Sequence, residues 1–263
     1  MYHRFKWTSV SHRRNGLTIE YEPLQPYFLA ALIRTAEART FVDVGANVGA
    51  YAVLMSPLVA QVIAYEANEA PAGQLARNLA MNRIAGQVRQ VAVSGEGGTV
   101  EFGIVSRFAG NSAVVDGRSR HDFRETRVVE AVTLDDELAA AEGPFAIKID
   151  VEGHEVAVLN GARTILAKQR CVLQVEDYGG AASKLLAPLG YRQVARIGPD
   201  HFFTNVAGVE ARRTFEAALD EMIAANHENK KVTLKRGDFG LEIAGRSYTR
   251  LARAMRRLFG GRL

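Results

Sequence analysis

Apolar runs rich in β-branched residues alternate with stretches of helical periodicity over most of the chain. A buried parallel strand takes the form of a continuous apolar run, whereas an amphipathic helix repeats its apolar positions every three to four residues. Runs and helical stretches follow one another as in βαβ units. The pattern therefore predicts an α/β fold with a doubly wound sheet. Parallel strands are predicted at Phe41–Val44, Gln61–Glu66, Val88–Ser94, Ala146–Asp150 and Cys171–Val175.

The last part of this pattern predicts a reversed strand. Two further apolar stretches, Tyr191–Ile197 and His201–Val206, are separated only by Gly198-Pro199-Asp200. A connection this short cannot carry a parallel crossover, so the two strands must form an antiparallel hairpin. The predicted sheet is therefore mostly parallel with one antiparallel strand.

Composition and charge divide the chain into three parts. Residues 1–38 are predicted to form an N-terminal arm and a leading helix, and residues 39–207 the main domain. Residues 208–263 should hold a helix, a hairpin-like piece (Val232–Ile243) and a basic helix. Residues 230–263 carry ten Lys or Arg and two Asp or Glu, a local net charge of +8, whereas the whole chain carries +4. The basic charge therefore belongs to the tail.

The basic tail is amphipathic, because apolar residues recur at helical spacing between its arginines. Such a helix packs on its own domain or on a second copy in a homo-oligomer, or else it contacts an anionic membrane. Nucleic acid is disfavoured, since the tail shows neither an interleaved aromatic platform nor a recognised nucleic-acid motif. The single cysteine, Cys171, and the lack of an apolar N-terminal block favour a cytoplasmic protein. It would be peripheral at the inner face of the membrane if the tail binds lipid.

A glycine-containing turn follows the first strand. Its pattern is D-x-G-x-N-x-G, formed by Asp43, Gly45, Asn47 and Gly49, and a helical stretch follows. A strand that turns into a helix presents free N–H groups to a ligand. The dinucleotide fingerprint needs a middle glycine that is missing here, and an acid would repel its pyrophosphate. Glu66 ends the next strand, about 20 residues on, where a ribose diol is usually held. Together these residues favour S-adenosylmethionine over NAD.

Four polar residues near these strand ends are further candidates for cofactor contacts: Asn68, Ser94, Asn111 and Ser112. Each also has a structural interpretation. Asn68 suits the cap of the next helix, Ser94 suits a turn, and the pair at 111–112 suits an ordinary polar loop. Both interpretations stay open at this point.

The fourth strand ends in a cluster of ionisable residues. Asp150 lies at its carboxyl end, and Glu152 and His154 follow within four residues. The mouth of an open α/β sheet lies at the carboxyl ends of its strands, so Asp150 should face the cofactor. A neutral hydroxyl that accepts a methyl group must lose its proton. Asp150 and His154 are candidate bases, with Glu152 in the same catalytic cluster, although His154 also suits a helix start held by local hydrogen bonds.

A metal-assisted alternative involves the next strand end. Asp150, Glu176 and Asp177 end adjacent predicted strands, so their oxygens can converge. Three carboxylates suit Mg²⁺, which would lower the pKa of an acceptor hydroxyl. The same acids equally suit hydrogen bonds to sugar hydroxyls. A site without metal is the favoured interpretation.

Six segments resemble, in order and approximate spacing, the FkbM-type S-adenosylmethionine-dependent methyltransferases. They are FVDVGANVGAY, VIAYEAN, VAVS, TLDDEL, IKIDVEGHEVAVLNGA and VLQVED, and the resemblance covers roughly Thr40–Asp177. It implies a class I, Rossmann-like methyltransferase fold with S-adenosylmethionine as cofactor. It also implies methylation of hydroxyl oxygens, commonly on sugars of bacterial glycans or on secondary metabolites. The basic tail lies outside the resemblance.

The expected function is methyl transfer from S-adenosylmethionine to a hydroxyl of a sugar, a glycan or a glycosylated metabolite. One alternative is Mg²⁺-assisted methylation of another small-molecule hydroxyl. A non-catalytic protein that binds the cofactor and tethers a partner is a second alternative. Amino-group methylation is disfavoured, because the fourth strand end lacks the Asn/Asp-Pro-Pro-aromatic motif common among amino-group methylases.

Overall fold

The structure, a computed structural model, describes residue 22 and residues 24–105, 112–115, 123–227, 241–243 and 246–247. The predicted N-terminal arm, Asn111 and nearly all of the predicted basic helix lie outside these residues. The predictions made for them therefore stay predictions.

Strands form two sheets within the described residues. In chain order they are β1 (Thr40–Val44), β2 (Gln61–Tyr65), β3 (Gln87–Arg89), β4 (Ala92–Val93), β5 (Gly98–Ile104), β6 (Ala113–Val114), β7 (Glu125–Val132), β8 (Phe145–Ile149), β9 (Cys171–Glu176), β10 (Arg192–Ile197), β11 (Asp200–Thr204), β12 (Leu241–Ile243) and β13 (Arg246–Ser247). The helices are α1 (Gln25–Ala36), α2 (Ala50–Met55), α3 (Glu69–Met81), α4 (Leu134–Glu137), α5 (Glu155–Asn160), α6 (Arg163–Lys168), α7 (Ala181–Leu186) and α8 (Ala211–His227).

The main sheet has the order β13-β12-β10-β11-β9-β8-β1-β2-β3. Strands β3, β2, β1, β8 and β9 are parallel to one another. Strand β11 is antiparallel to both β9 and β10, so it is the reversed strand that the short connection predicts. This confirms the Rossmann-like fold with a mostly parallel sheet. The order reverses between β1 and β8, and the crevice for a ligand lies there, outside the carboxyl ends of the strands.

The predicted third strand is divided between two sheets. Strand β3 pairs with β2 in the main sheet, whereas β4 pairs with β7 in a second sheet of order β4-β7-β5-β6. The prediction of one strand over Val88–Ser94 was therefore wrong. Ala92 and Val93 leave the main sheet because their backbone partners are Ala131 and Val132, which are distant in sequence.

Helices cover both faces of the main sheet. Alternate residues of β1 belong to different cores: Phe41 packs with α1 and α2, whereas Val42 packs with α5, α6 and α7. This period of two follows from the strand pleat. Burial of one large aliphatic or aromatic side chain contributes about 1.5–3 kcal/mol, so the two cores hold the strand ends in a fixed relation. Among the described helices, none is both long and apolar enough to span a bilayer.

The C-terminal part adds an edge to the sheet. Strands β12 and β13 pair with each other, and β12 pairs with β10. Arg246–Ser247 are therefore extended, although the sequence predicts them at the start of the basic helix. The remaining residues of the tail lie outside the part described.

Candidate active site

The turn after β1 depends on left-handed backbone conformations. Gly45, Asn47 and Gly49 have φ values of 77°, 50° and 87°. A Cβ at position 45 would overlap the carbonyl oxygen of Asp150, and one at position 49 would overlap the side chain of Leu75. Space and φ together require glycine at position 45, where the blocking atom is backbone, whereas at position 49 the left-handed φ is the stronger requirement because the leucine side chain can move. The turn lies directly against the end of β8.

Glu66 organises the backbone around this turn. Its Oε2 accepts a hydrogen bond from the Asn47 N–H and its Oε1 accepts one from the Asn68 N–H, each at 2.8 Å. The side chain is buried, with 9% of its surface exposed. Burial raises the pKa of Glu66 to about 7, against the opposing effect of the two backbone hydrogen bonds. The structure thus joins three predicted cofactor residues through one carboxylate.

Asp43 lies deeper than the sequence suggests. Only 1% of it is exposed, and its Oδ2 accepts a hydrogen bond from the Ala52 N–H at 2.9 Å. Its Oδ1 has no hydrogen-bond partner among the described residues. Burial raises the pKa of Asp43 to about 6, while Lys148 lowers it. Asp43 therefore anchors the first part of α2 to β1 rather than standing at the mouth.

Four of the remaining candidates form two separate pairs. Asn68 occupies the cap position of α3 without a capping side-chain bond, and its Nδ2 lies 3.5 Å from Ser112 Oγ. Ser94 Oγ lies 2.9 Å from His154 Nε2, and both residues are buried. His154 is the cap residue of α5. This geometry favours a structural role for His154, although this hydrogen bond joins residues 60 positions apart and is not the local bond that the sequence predicts.

Asp150 forms an ion pair with a buried lysine. Lys148 Nζ lies 2.7 Å from Asp150 Oδ2, and only 4% of the lysine side chain is exposed. The ammonium also lies 4.8 Å from the centre of the Tyr51 ring, within the range of a cation–π contact. The sequence analysis did not identify Lys148 or Tyr51. A charged residue inside the apolar run of β8 was the available signal for Lys148.

An acidic cluster surrounds Asp150. One carboxylate oxygen from each of Asp150, Glu152 and Glu176 lies within 4.8 Å of the other two. Burial and then repulsion by Asp150 raise the pKa of Glu176 to about 9 and that of Glu152 to about 7. At the rim, Tyr178 is 79% exposed and donates its hydroxyl hydrogen to Glu176 Oε1 at 3.1 Å.

Asp177 takes no part in this cluster. Its Oδ1 accepts hydrogen bonds from the Gly179 and Gly180 N–H groups, and its Oδ2 accepts one from Ala182 N–H at 2.8 Å. The carboxylate is thereby turned toward the start of α7. The three acids predicted as alternative metal ligands are thus not brought together, and Glu152 stands in the third position.

A second buried polar group, which no sequence pattern predicts, adjoins Lys148. Tyr51 donates its hydroxyl hydrogen to Glu22, while Gln174 Nε2 donates to Tyr51 Oη at 3.0 Å and to Asp200 Oδ1 at 2.8 Å. Burial, followed by repulsion from Asp200, raises the pKa of Glu22 to about 8. These residues come from four distant parts of the chain and meet on the α1 side of the sheet.

Comparisons with known proteins bear on the family of this chain. The family model described as "Methyltransferase FkbM domain" matches residues 43–233. A search of curated proteins found no match. Among solved structures, the methyltransferase FkbM from Methylobacillus flagellatus KT is similar at 16% identity and a TM-score of 0.45, over 64% of this chain and 44% of that one. The matched region thus spans less than half of that protein.

Two other solved structures are similar at comparable levels. An O-methyltransferase from Bacillus cereus, in complex with SAH, matches at 14% identity and a TM-score of 0.41, over 74% of this chain and 86% of that one. The T. thermophilus 16S rRNA N2 G1207 methyltransferase, in complex with AdoMet and guanosine, matches at 13% identity and a TM-score of 0.42, over 70% and 43%. The family model covers well over half of the 263 residues, and the chain therefore belongs to the FkbM methyltransferase domain family.

Proposed function

We propose that this methyltransferase uses S-adenosylmethionine to methylate a hydroxyl oxygen on a sugar, a glycan or a glycosylated metabolite. The observation that carries the proposal is the contact between the Gly45 turn and Asp150. It brings a nucleoside-binding turn and an acid at the carboxyl end of β8 to one point on the sheet. Cofactor binding and proton removal would then take place side by side.

The residues at the β1 and β2 ends fit this cofactor. Glu66 uses each of its oxygens for one backbone N–H, and a carboxylate oxygen can accept more than one hydrogen bond. A ribose diol supplies the matching donors, and Gly45 and Gly49 keep the turn free of side chains. Gly45, Asn47, Glu66 and Asn68 would hold the nucleoside part. When bound, S-adenosylmethionine supplies an electrophilic methyl group on a sulfonium.

Asp150 is the proposed base. Its carboxylate is half-buried at the mouth, and it would accept the proton of the acceptor hydroxyl. His154 is less suited, since its Nε2 already faces Ser94. Positioning of the acceptor against Asp150 would supply much of the rate, as it does in other group transfers.

The surroundings of Asp150 support a hydroxyl-rich acceptor. Glu152 and Glu176 offer hydrogen-bond acceptors to sugar hydroxyls, and the exposed ring of Tyr178 offers an apolar face beside them. A phosphate-bearing acceptor would meet repulsion from three acids. Divalent-cation assistance is the second candidate, because the oxygens of Asp150, Glu152 and Glu176 are close enough to share one ion.

A transfer assay with labelled cofactor tests the proposal. Purified protein is incubated with S-adenosylmethionine carrying a radioactive methyl group and with a panel of free sugars and alkyl glycosides. Label is expected in an ether linkage. Asp150→Asn should lower kcat by about 10²–10⁴ while leaving the calorimetric Kd for S-adenosylhomocysteine nearly unchanged. Asp220→Asn, an exposed change in α8, is the matched control. Wild-type turnover by Asp150→Asn, or label on nitrogen, would overturn it.

A further inference from the structure

Lys148 lies among polar side chains from three neighbouring strands. In the sheet register it stands beside Asp43 of β1 and Gln174 of β9, and its own strand continues into Asp150. Its ammonium is almost fully removed from water and lies 2.7 Å from Asp150 Oδ2. Burial of a charge is costly unless a partner compensates it. The ion pair with Asp150 therefore compensates the cost of burying the lysine charge.

The direction of the lysine side chain is fixed by its surroundings. The ring of Tyr51 lies against the ammonium, and the Tyr51 hydroxyl is itself held by Glu22 and Gln174. Gln174 is in turn bonded to Asp200, which also accepts a hydrogen bond from Gln25 at 3.3 Å. A side chain enclosed in this way has few other rotamers available.

Lys148 also sets the balance of charge among the acids around it. Its positive charge lowers the pKa of Glu22, Asp43, Glu152 and Asp200, all of which burial raises. A separate effect operates between Glu176 and Asp150, which share a side-chain hydrogen bond that raises the pKa of Glu176. Lys148 and Glu176 therefore both contact the Asp150 carboxylate.

We propose that Lys148 is a positioning residue for methyl transfer, which holds the Asp150 carboxylate in a fixed orientation through their buried ion pair. The proposal rests on the proposed function of Asp150 as the base. Lys148 would act through Asp150 and need not touch the acceptor or the cofactor. Its loss should therefore lower the rate of transfer and leave ligand affinity little changed.

The first test separates turnover from binding in the intact chain. Lys148→Met is expected to lower kcat by about 100-fold on the labelled-methyl acceptor panel, with KM and the S-adenosylhomocysteine Kd changed by no more than about threefold. Lys148→Arg, which keeps the charge, should recover about tenfold of the loss. Lys168→Met, an exposed lysine change in α6, is the control. Unchanged kcat in Lys148→Met, or a loss confined to KM, would overturn the proposal.

The second test needs neither acceptor nor cofactor. Difference infrared spectroscopy against the matching Asp150→Asn variants isolates the carboxylate stretching bands of Asp150, whose frequencies depend on what its oxygens contact. These bands should shift in Lys148→Met and stay near their wild-type position in Lys148→Arg. If they do not shift in Lys148→Met, the lysine does not hold the Asp150 carboxylate and the proposal fails. This result stands even if the wild-type protein transfers no methyl group to any hydroxyl, which would instead overturn the proposed function. Should Lys148→Met not fold, Lys148→Gln takes its place in both tests.

Discussion

The backbone carbonyl of Asp150 occupies the space where any side chain at position 45 would begin, so Gly45 and Asp150 meet backbone to backbone. Asp150 N–H also donates a hydrogen bond to Val44 O at 3.1 Å. The ends of β1 and β8 are therefore fastened together at the crevice. A shift of the glycine turn should therefore move the carboxylate that follows β8, which would link the proposed cofactor site to the placement of the proposed base.

Gly45→Ala is expected to impair both stability and ligand binding. The residue has a φ of 77°, and an added Cβ would overlap Asp150 O. Left-handed backbone strain and the displaced carbonyl together should cost at least about 2 kcal/mol in the free energy of unfolding. Urea unfolding and calorimetry with S-adenosylhomocysteine measure the two effects.

The matched control for this change is Gly73→Ala. Gly73 lies within α3, and a Cβ there meets no atom within 4 Å. An exposed helical glycine replaced by alanine should stabilise the protein by about 0.5–1 kcal/mol. If Gly45→Ala behaves like Gly73→Ala, the contact between the two strand ends has no energetic importance.

Glu66→Gln should weaken binding of the cofactor product. The carboxylate accepts two backbone N–H groups, and the substituted amide would direct an NH₂ group at one of them. A hydrogen bond to a charged group contributes about 1.5–3 kcal/mol, so a loss of roughly 10- to 100-fold in affinity for S-adenosylhomocysteine is expected. Calorimetry on the wild type and the variant measures it. An unchanged Kd would exclude Glu66 from the binding site.

The same carboxyl group should make the ligand-free protein less stable as the pH rises. The pKa of Glu66 in the folded protein is about 7, above its ordinary value of 4.5, so its contribution is complete below pH 4.5 and is lost as the pH passes 7. The shift corresponds to a change on the order of 3 kcal/mol. Urea unfolding across this range should show a shallower decline for Glu66→Gln than for wild type. Glu96→Gln, an exposed change, should leave the decline as it is.

His154→Gln should retain methyl transfer. His154 is buried and faces Ser94, which supports a structural role, so we expect kcat to stay within about tenfold of wild type. The melting temperature should fall, since a buried hydrogen bond contributes about 0.5–1.5 kcal/mol. A loss of kcat as large as that of Asp150→Asn, with stability unchanged, would restore His154 as a base.

Local sequence patterns predict those residues of the site that lie at the end of a single strand. The turn from Asp43 to Gly49, Glu66 and Asp150 each follow an apolar run, and parallel strands bring such ends to one edge. The sequence could not indicate that Asp43 would be buried, because its depth depends on α1 and α2 packing over β1. The position of Asp43 at a strand end does not by itself predict how deeply the side chain is buried.

The contacts that sequence reasoning missed depend on pairing between distant segments. Lys148 meets Gln174 through the register of β8 with β9, and Gln174 meets Asp200 across the antiparallel pair of β9 and β11. No local pattern encodes such a register. The prediction for Asp177 was wrong because of local contacts. Its carboxylate accepts hydrogen bonds from three nearby backbone N–H groups and so does not reach Asp150.

Removal of divalent metal should leave turnover nearly unchanged. Lys148 already places a positive charge 2.7 Å from Asp150, where a cation would otherwise balance the acids, and Asp177 is committed to the start of α7. Wild-type protein treated with EDTA is expected to keep kcat within about twofold. If EDTA abolishes transfer and Mg²⁺ restores it, the cluster of Asp150, Glu152 and Glu176 binds a catalytic metal, because no other change in the assay would link activity to the ion.

Asp177→Ala should lower the free energy of unfolding by about 1–2 kcal/mol and leave kcat unchanged, because the carboxylate bonds to backbone N–H groups at the start of α7. Asp177→Asn, which keeps one acceptor oxygen, should lose less stability.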